Sequence, residues 1–193
     1  MYVQIKNPAL QHIILRDLQP EDIPLIWHYN YEAIDREFQN WNGPYQPVVY
    51  VPVEEYEKRY HEDLLLVNTT IPRRNLVIEI NGELKGTVGR YWVDKATNWC
   101  EIGIVIYDSS YWSGGYGTVA FQSWIDYLFT EMDVVRLGIS TWSGNERMMR
   151  LAQKCGMQEE GRIRQARIVR GAYYDSIKMG ILRSEWQAQA RKP

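Results

Sequence analysis

Residues 111–118, Tyr-Trp-Ser-Gly-Gly-Tyr-Gly-Thr, set three glycines between an alternating apolar segment and an amphipathic one. Upstream, Ile102, Ile104 and Ile106 recur at period two, as on one buried strand face. Downstream, Tyr116, Val119, Ala120, Ser123, Trp124, Tyr127 and Leu128 recur at helical spacing. Between them the glycines leave backbone N–H groups bare at a helix N-terminus, where partial positive charge favours a phosphate. Such a turn is either an anion cradle or a tight connection that binds nothing. No Lys follows the last glycine, which argues against an NTPase P-loop, and the spacing is not the G-x-G-x-x-G of dinucleotide sites.

The elements that must position this turn can be read coarsely. Residues 12–17 predict a strand, and Pro20-Glu-Asp22 starts a helix with acidic residues in its first turn. Residues 35–51, with Phe38, Trp41, Asn42, Gly43, Pro44, Tyr45 and Pro47, predict an irregular aromatic loop. Val53, Tyr56, Tyr60, Leu64 and Val67 mark an amphipathic helix. Strands follow near 75–81, 84–93 and 99–107, with Asn81-Gly82 as a type I′ hairpin turn. After the glycine turn come a helix at 116–131, a strand at 134–141, a helix at 145–155, and strands near 159–169 and 173–182. The order describes a mixed α/β sheet.

With 193 residues, 45% hydrophobic and 24% charged, the chain can bury a core as one domain, 1–193, its core spanning about 12–184. No apolar run reaches membrane-spanning length, and the first six residues lack the apolar stretch of a signal peptide, so a cytoplasmic protein is expected. Cys100 and Cys155 suggest neither a disulfide framework nor a zinc site, and His12, His28 and His61 lack metal-ligand spacing. No metal is expected. A net charge of −2 argues against nucleic acid as a partner. Arg162, Arg164, Arg167 and Arg170 cluster locally, and a solvated hairpin accounts for them better than a polyanion patch.

Trp112-x-x-Gly115-x-Gly117 resembles the acetyl-CoA turn, Q/R-x-x-G-x-G/A, of the GCN5-related N-acetyltransferase (GNAT) superfamily. Trp at the first position resembles the subgroup of ribosomal-protein alanine N-acetyltransferases. Further segments resemble that subgroup in order: 12–22, Cys100–Gly103, Asn145 with Arg150–Met157, Gly161–Gly171, and Tyr173–Lys178. The resemblance implies a central mixed, mostly antiparallel sheet, splayed between its fourth and fifth strands and flanked by helices. It implies transfer of the acetyl group of acetyl-CoA to a primary amine, on a protein N-terminus or a small molecule, by direct attack. A homodimer is left open.

By the same resemblance, the pantetheine pairs with backbone at Val105, Ile106 and Tyr107, with an oxyanion donor near Val105. The pyrophosphate meets N–H groups of Ser113, Gly114, Gly115, Tyr116, Gly117 and Thr118, beside Trp112. Asn145 contacts the cofactor, caps the following helix, or does both. Glu101 is the candidate general base. Alternation sets it with Trp99, Gly103 and Val105, where a partly dry cleft would raise its pKa; the structural alternative is a pair with Arg90. The Tyr and Ser used as acids by relatives correspond to Ala152 and Met148, leaving Tyr107, Ser143, Tyr173 and Tyr174 as candidate donors, or departure of the thiolate without an enzymic acid. The loop 38–50, with Trp41 and Tyr45, and the hairpin 171–175 are the expected acceptor walls. Two other functions compete with the enzyme: a catalytically degenerate acetyl-CoA-binding module, and a ribosome-associated protein using the arginine hairpin.

Overall fold

A computed structural model describes residues 2–5, 10, 12–67 and 69–190. Eight strands form one sheet in the order β1-β2-β3-β4-β5-β6-β8-β7. They are β1 (Tyr2–Ile5), β2 (Ile13–Arg16), β3 (Asn75–Ile80), β4 (Glu83–Asp94), β5 (Trp99–Ile106), β6 (Arg136–Trp142), β7 (Gln158–Val169) and β8 (Ala172–Leu182). The helices are α1 (Asp22–Tyr31), α2 (Val53–Leu65), α3 (Tyr116–Glu131), α4 (Glu146–Lys154) and α5 (Arg183–Ala190). Strand β1 and helix α5 are absent from the sequence expectations; the other elements fall close to where periodicity puts them.

Every neighbouring pair is antiparallel except β5 and β6, which run parallel and share only the register Cys100/Leu137 and Glu101/Gly138. Beyond Glu101 the two strands part. Because β1 adds an edge strand, the splay lies between the fifth and sixth strands of this chain rather than the fourth and fifth. The β3–β4 hairpin closes through Asn81 (φ 53°) and Gly82 (φ 82°), both left-handed as a type I′ turn requires.

Two apolar layers fix the sheet. On one face, Ile102, Leu137, Ile139, Ile177 and Met179 pack under Phe121, Trp124 and Leu128 of α3. On the other, Val77, Leu84 and Tyr107 pack under Ile23 and Ile26 of α1, Phe38 of the segment between α1 and α2, and Tyr56 of α2. Each fully buried large side chain contributes about 1.5–3 kcal/mol. Arg183 closes the first layer by donating to the carbonyls of Phe129 (2.6 Å) in the last turn of α3 and of Met132 and Val134 (2.8 Å) just beyond it. The strands thus carry two unlike faces through the splay, and any cleft there opens on both.

Candidate active site

A cleft of about 1320 Å³ runs through the sheet where β5 and β6 part. On the α3 side it meets Ile104, Ile106, the turn at Trp112, Ser113, Gly115, Gly117 and Thr118, and Arg147, Arg150 and Lys154 of α4. On the opposite side it meets Thr87, Tyr91, Gly103 and Val105, then Ser140, Trp142, Trp41, Tyr45 and Arg167. Of the candidate residues, Val105, Ile106, Trp112, Ser113, Gly115, Gly117, Thr118, Asn145, Trp41 and Tyr45 line the cleft. Glu101, Tyr107, Gly114 and Tyr116 do not.

Strand pairing decides which backbone groups the cleft can use. Tyr107 N–H donates to Lys85 O at 2.9 Å, and the register continues through Thr87/Val105 and Gly89/Gly103. Antiparallel alternation then turns the peptide groups of Val105 and Tyr107 toward β4 and those of Ile104 and Ile106 toward the gap. This corrects the expectation for Val105 and Tyr107, whose backbone is committed inside the sheet. The Tyr107 phenol is also buried, stacked 4.9 Å from Tyr29, and burial pushes its pKa up. It is no proton donor to the cleft.

Trp112 is a brace. Its Nε1 donates to Ile106 O at 3.0 Å, tying the glycine turn to the end of β5. That leaves the Ile104 N–H and C=O and the Ile106 N–H facing the gap. Ser113 (φ 63°) and Gly115 (φ 92°) are both left-handed, which folds the chain so that α3 starts with its first N–H groups uncovered. Gly114 and Tyr116 support the turn from outside: a Cβ at Gly114 would meet the Tyr116 ring at 3.2 Å, and Tyr116 packs edge-on against Tyr111. Helix α4 adds a basic stripe at spacings of three and four, Arg147, Arg150 and Lys154. The Arg147 guanidinium lies 5.0 Å from the Trp112 ring and 5.7 Å from Trp41. Sequence reasoning missed that stripe, although its spacing carried the signal. Open strand edge, bare helix N-terminus and stripe together suit an extended ligand with an anionic end, as CoA is.

Asn145 caps α4, its Oδ1 accepting from Met148 N–H at 3.1 Å. Its Nδ2 donates to Trp41 O at 3.0 Å, beside the Trp142 Nε1 bond of 2.9 Å to the same carbonyl. The expected aromatic loop is therefore pinned to β6 and α4, with Trp41 and Tyr45 half-buried rather than waving free. One amide hydrogen of Asn145 remains for a ligand.

Glu101 corrects two expectations. Its carboxylate, 2% exposed, accepts from Tyr91 Oη (2.6 Å) and Ser140 Oγ (2.5 Å) at Oε2 and from Lys178 Nζ (2.7 Å) at Oε1. Burial opposes its ionisation, but the hydrogen bonds from Lys178, Ser140 and Tyr91 outweigh it and hold the carboxyl below its ordinary value, not above. Its partner is Lys178, and Arg90 instead donates to the carbonyls of Arg73 and Pro72. The four groups come from β4, β5, β6 and β8, one from each strand across the splay. Tyr91 and Ser140 line the cleft and Glu101 stands behind them.

Among the other acid candidates, Ala152 is fully buried and Met148 packs beside the core. Ser143 Oγ accepts from Asp175 N–H, Tyr174 packs edge-on against Trp142, and Tyr173 is exposed. The arginines of the hairpin disperse: Arg162 pairs with Glu159 and Asp175, Arg164 is exposed, Arg170 bonds Asn40, and Arg167 enters the cleft. They form no common patch. Cys100 and Cys155 are free and buried, and burial pushes both thiols up, Cys155 to about 12. Neither is a nucleophile. His12, His28 and His61 are all exposed and outside the cleft. Among the described residues no cluster suits a metal ion, and no helix is long and apolar enough to cross a membrane.

Residues 12–158 match the family described as "Acetyltransferase (GNAT) domain". The chain belongs to the GNAT acetyltransferase family. This GNAT chain is 24% identical over 186 residues to spermidine N(1)-acetyltransferase of Escherichia coli (strain K12), covering 96% of this chain and 94% of that one. It is 28% identical over 109 residues to the putative ribosomal N-acetyltransferase YdaF of Bacillus subtilis (strain 168), covering 56% and 59%. Its fold matches spermidine N-acetyltransferase from Vibrio cholerae in complex with CoA and spermine, with a TM-score of 0.73 and 22% identity, over 91% of this chain and 98% of that one. As a GNAT enzyme it is an acetyl-CoA-dependent N-acetyltransferase acting on amines.

Proposed function

We propose that the cleft carries the two substrates from opposite faces of the sheet, acetyl-CoA on the α3/α4 side and a primary amine, small-molecule or protein N-terminal, on the Glu101 side. The observation that carries this reading is the parting of β5 and β6 directly beyond the Glu101 cluster. Bare N–H groups and cations line one mouth there, and oriented hydroxyls line the other.

Bound acetyl-CoA supplies a thioester, the acyl donor. The turn at 113–118 and the α4 stripe hold its phosphates, while the free peptide groups of Ile104 and Ile106 hold the extended arm. The Ile106 N–H, or that of Ile104, is the donor for negative charge developing on the carbonyl oxygen. Ser140 and Tyr91 hydroxyls give their own protons to Glu101, and Ser140 Oγ also accepts from Lys178, so the Tyr91 lone pairs and one of Ser140 are left for the cleft. They accept an amine N–H, and as nitrogen attacks, that proton passes to the hydroxyl while the hydroxyl proton passes to Glu101. The tetrahedral species then collapses by breaking the C–S bond, and CoA leaves as a thiolate that takes its proton from solvent. The lowered pKa keeps Glu101 ionised and ready to receive it. The Lys178 ammonium offsets that charge in the resting enzyme. Both cysteine thiols are buried and neither lines the cleft, so neither serves as an acyl carrier, and attack by the amine is direct.

Initial rates with both substrates varied test the reading against a panel of amines, scored by release of the CoA thiol. Intersecting double-reciprocal lines and an N-acetylated product are expected. Parallel lines would place an acyl-enzyme on the path, and CoA binding with no turnover on any amine would leave a binding module instead.

A further inference from the structure

The half of the cleft opposite α3 contains a cation with nothing to hold. Arg167, on β7, pairs in register with Tyr174 of β8, and Tyr174 packs against Trp142, next but one to Ser140 on β6. In-register partners share a face. Ser140 lies opposite Lys178, and Lys178 and Tyr174 are four residues apart on β8, so Arg167 stands on the Glu101 face of the sheet. That is the acceptor side, not the phosphate side. Its guanidinium lies 4.8 Å from the Tyr45 ring, and Nη1 is spent on Ala166 O at 2.9 Å. The Nε is buried and has no hydrogen-bond partner, and among the described residues no carboxylate lies within ion-pair distance of the side chain. Among the described residues Nη2 makes no hydrogen bond, and it is not enclosed, so it is the donor left to grip a carboxylate in a charge-assisted bond.

The remaining charges agree. Five cations line the cleft, Arg90, Arg147, Arg150, Lys154 and Arg167, against one acid, Glu146, which is already paired with Arg150. Glu101 is shielded and paired with Lys178. A polycationic acceptor would find no free carboxylate on its side of the cleft and would face Arg167. A buried, unsatisfied donor is expensive to leave unmade.

Resting on the proposed division of the cleft, we infer that Arg167 is an anion-recognition residue for the acceptor, and that the acceptor amine carries a carboxylate. The second charge can come from an amino acid-like small molecule or from a side chain close to a peptide N-terminus; the chemistry is shared. Arg167 holds the carboxylate against the Tyr45 wall and leaves the amine pointing toward Ser140 and Tyr91.

Two matched sets of acceptors test this. One is γ-aminobutyrate, putrescine and butylamine; the other is a short peptide with glutamate, lysine or alanine after its free N-terminal residue. In at least one set, kcat/KM should be about tenfold or more higher for the carboxylate member, the range a charged hydrogen-bonded pair supplies. R167Q should abolish that preference, costing the carboxylate member about tenfold more than butylamine with the KM for acetyl-CoA unchanged, and R167K should restore part of it. Calorimetry with N-acetyl-γ-aminobutyrate and the N-acetylated glutamate peptide, without cofactor, should show binding to the wild type that R167Q loses. Preference for the cationic member in both sets, or an equal loss for every amine in R167Q, overturns the inference. If no amine is acetylated, the proposed function fails, and the calorimetry alone decides the anion site.

Discussion

The Glu101 carboxylate and the Lys178 ammonium meet at 2.7 Å although their strands, β5 and β8, are separated by β6. The contact passes over the place where β5 and β6 hold their only paired register. With Tyr91 and Ser140 it makes a polar tie across four strands at the root of the splay. Because Glu101 is nearly fully buried and its folded-state pKa lies below the ordinary 4.5, its stabilisation is present above that value. It is lost as pH falls through the lower folded value. Glu101→Gln should therefore destabilise the protein by about 1–3 kcal/mol near neutrality, discounted for the half-exposed Lys178. Thermal melts of the two proteins should converge as pH drops below 4.5.

The same substitution should lower kcat/KM by about a hundredfold with acetyl-CoA affinity preserved, if protons leave through the cluster. The hydroxyls are then separable. Ser140→Ala and Tyr91→Phe should each reduce kcat, and the double variant should approach Glu101→Gln. Full activity in the double variant would remove the relay and leave Glu101 as a fastener of strands.

The Trp112 indole tie makes a prediction that concerns the cofactor alone. Trp112→Phe keeps the ring beneath Arg147 but frees Ile106 O, losing a bond worth about 1 kcal/mol. The KM for acetyl-CoA should rise several-fold and the acceptor KM should stay put. Titration of CoA by calorimetry checks it.

Two glycines of the turn should behave differently. Gly115 sits at φ 92°, where any Cβ is strained, although only Leu10 Cδ2 at 3.8 Å would be touched. Gly117 has an ordinary φ, and its added Cβ would meet the movable Leu151 Cδ1 at 3.2 Å. Gly115→Ala should destabilise by about 1–2 kcal/mol and weaken CoA binding, while Gly117→Ala should be milder in both. Equal melting temperatures for the two variants would contradict the conformational argument.

The period-two apolar run made β5 legible, and Asn81-Gly82 marked the β3–β4 hairpin, because these signals are local. The glycine turn was legible for the same reason. Glu101 was visible as a strand carboxylate, but its partner lies 77 residues away on β8. Periodicity names a face and cannot name which strand comes alongside, so a raised pKa beside Arg90 was the expectation. Val105 and Tyr107 failed on phase: the side-chain period does not say which peptide groups face the partner strand. Trp41 and Tyr45 read as exposed loop aromatics, whereas the Trp41 carbonyl, a group no pattern reports, pins the loop. Arg167 was read with its neighbours as a solvated hairpin; its place in the cleft depends on Tyr174 beside it and Tyr45 over it, neither of which a local pattern names.

The central claim is that one cleft takes its two substrates from opposite faces of the sheet. Steady-state KM values for both substrates in Arg147→Gln and Tyr45→Ala test it most directly, since Arg147 lies over Trp112 at the glycine turn and Tyr45 lies against Arg167 on the acceptor side. Arg147→Gln should raise the KM for acetyl-CoA several-fold and leave the acceptor KM unchanged; Tyr45→Ala should do the reverse. If both variants raise both constants together, or if the assignments cross over, the two-mouthed site is wrong.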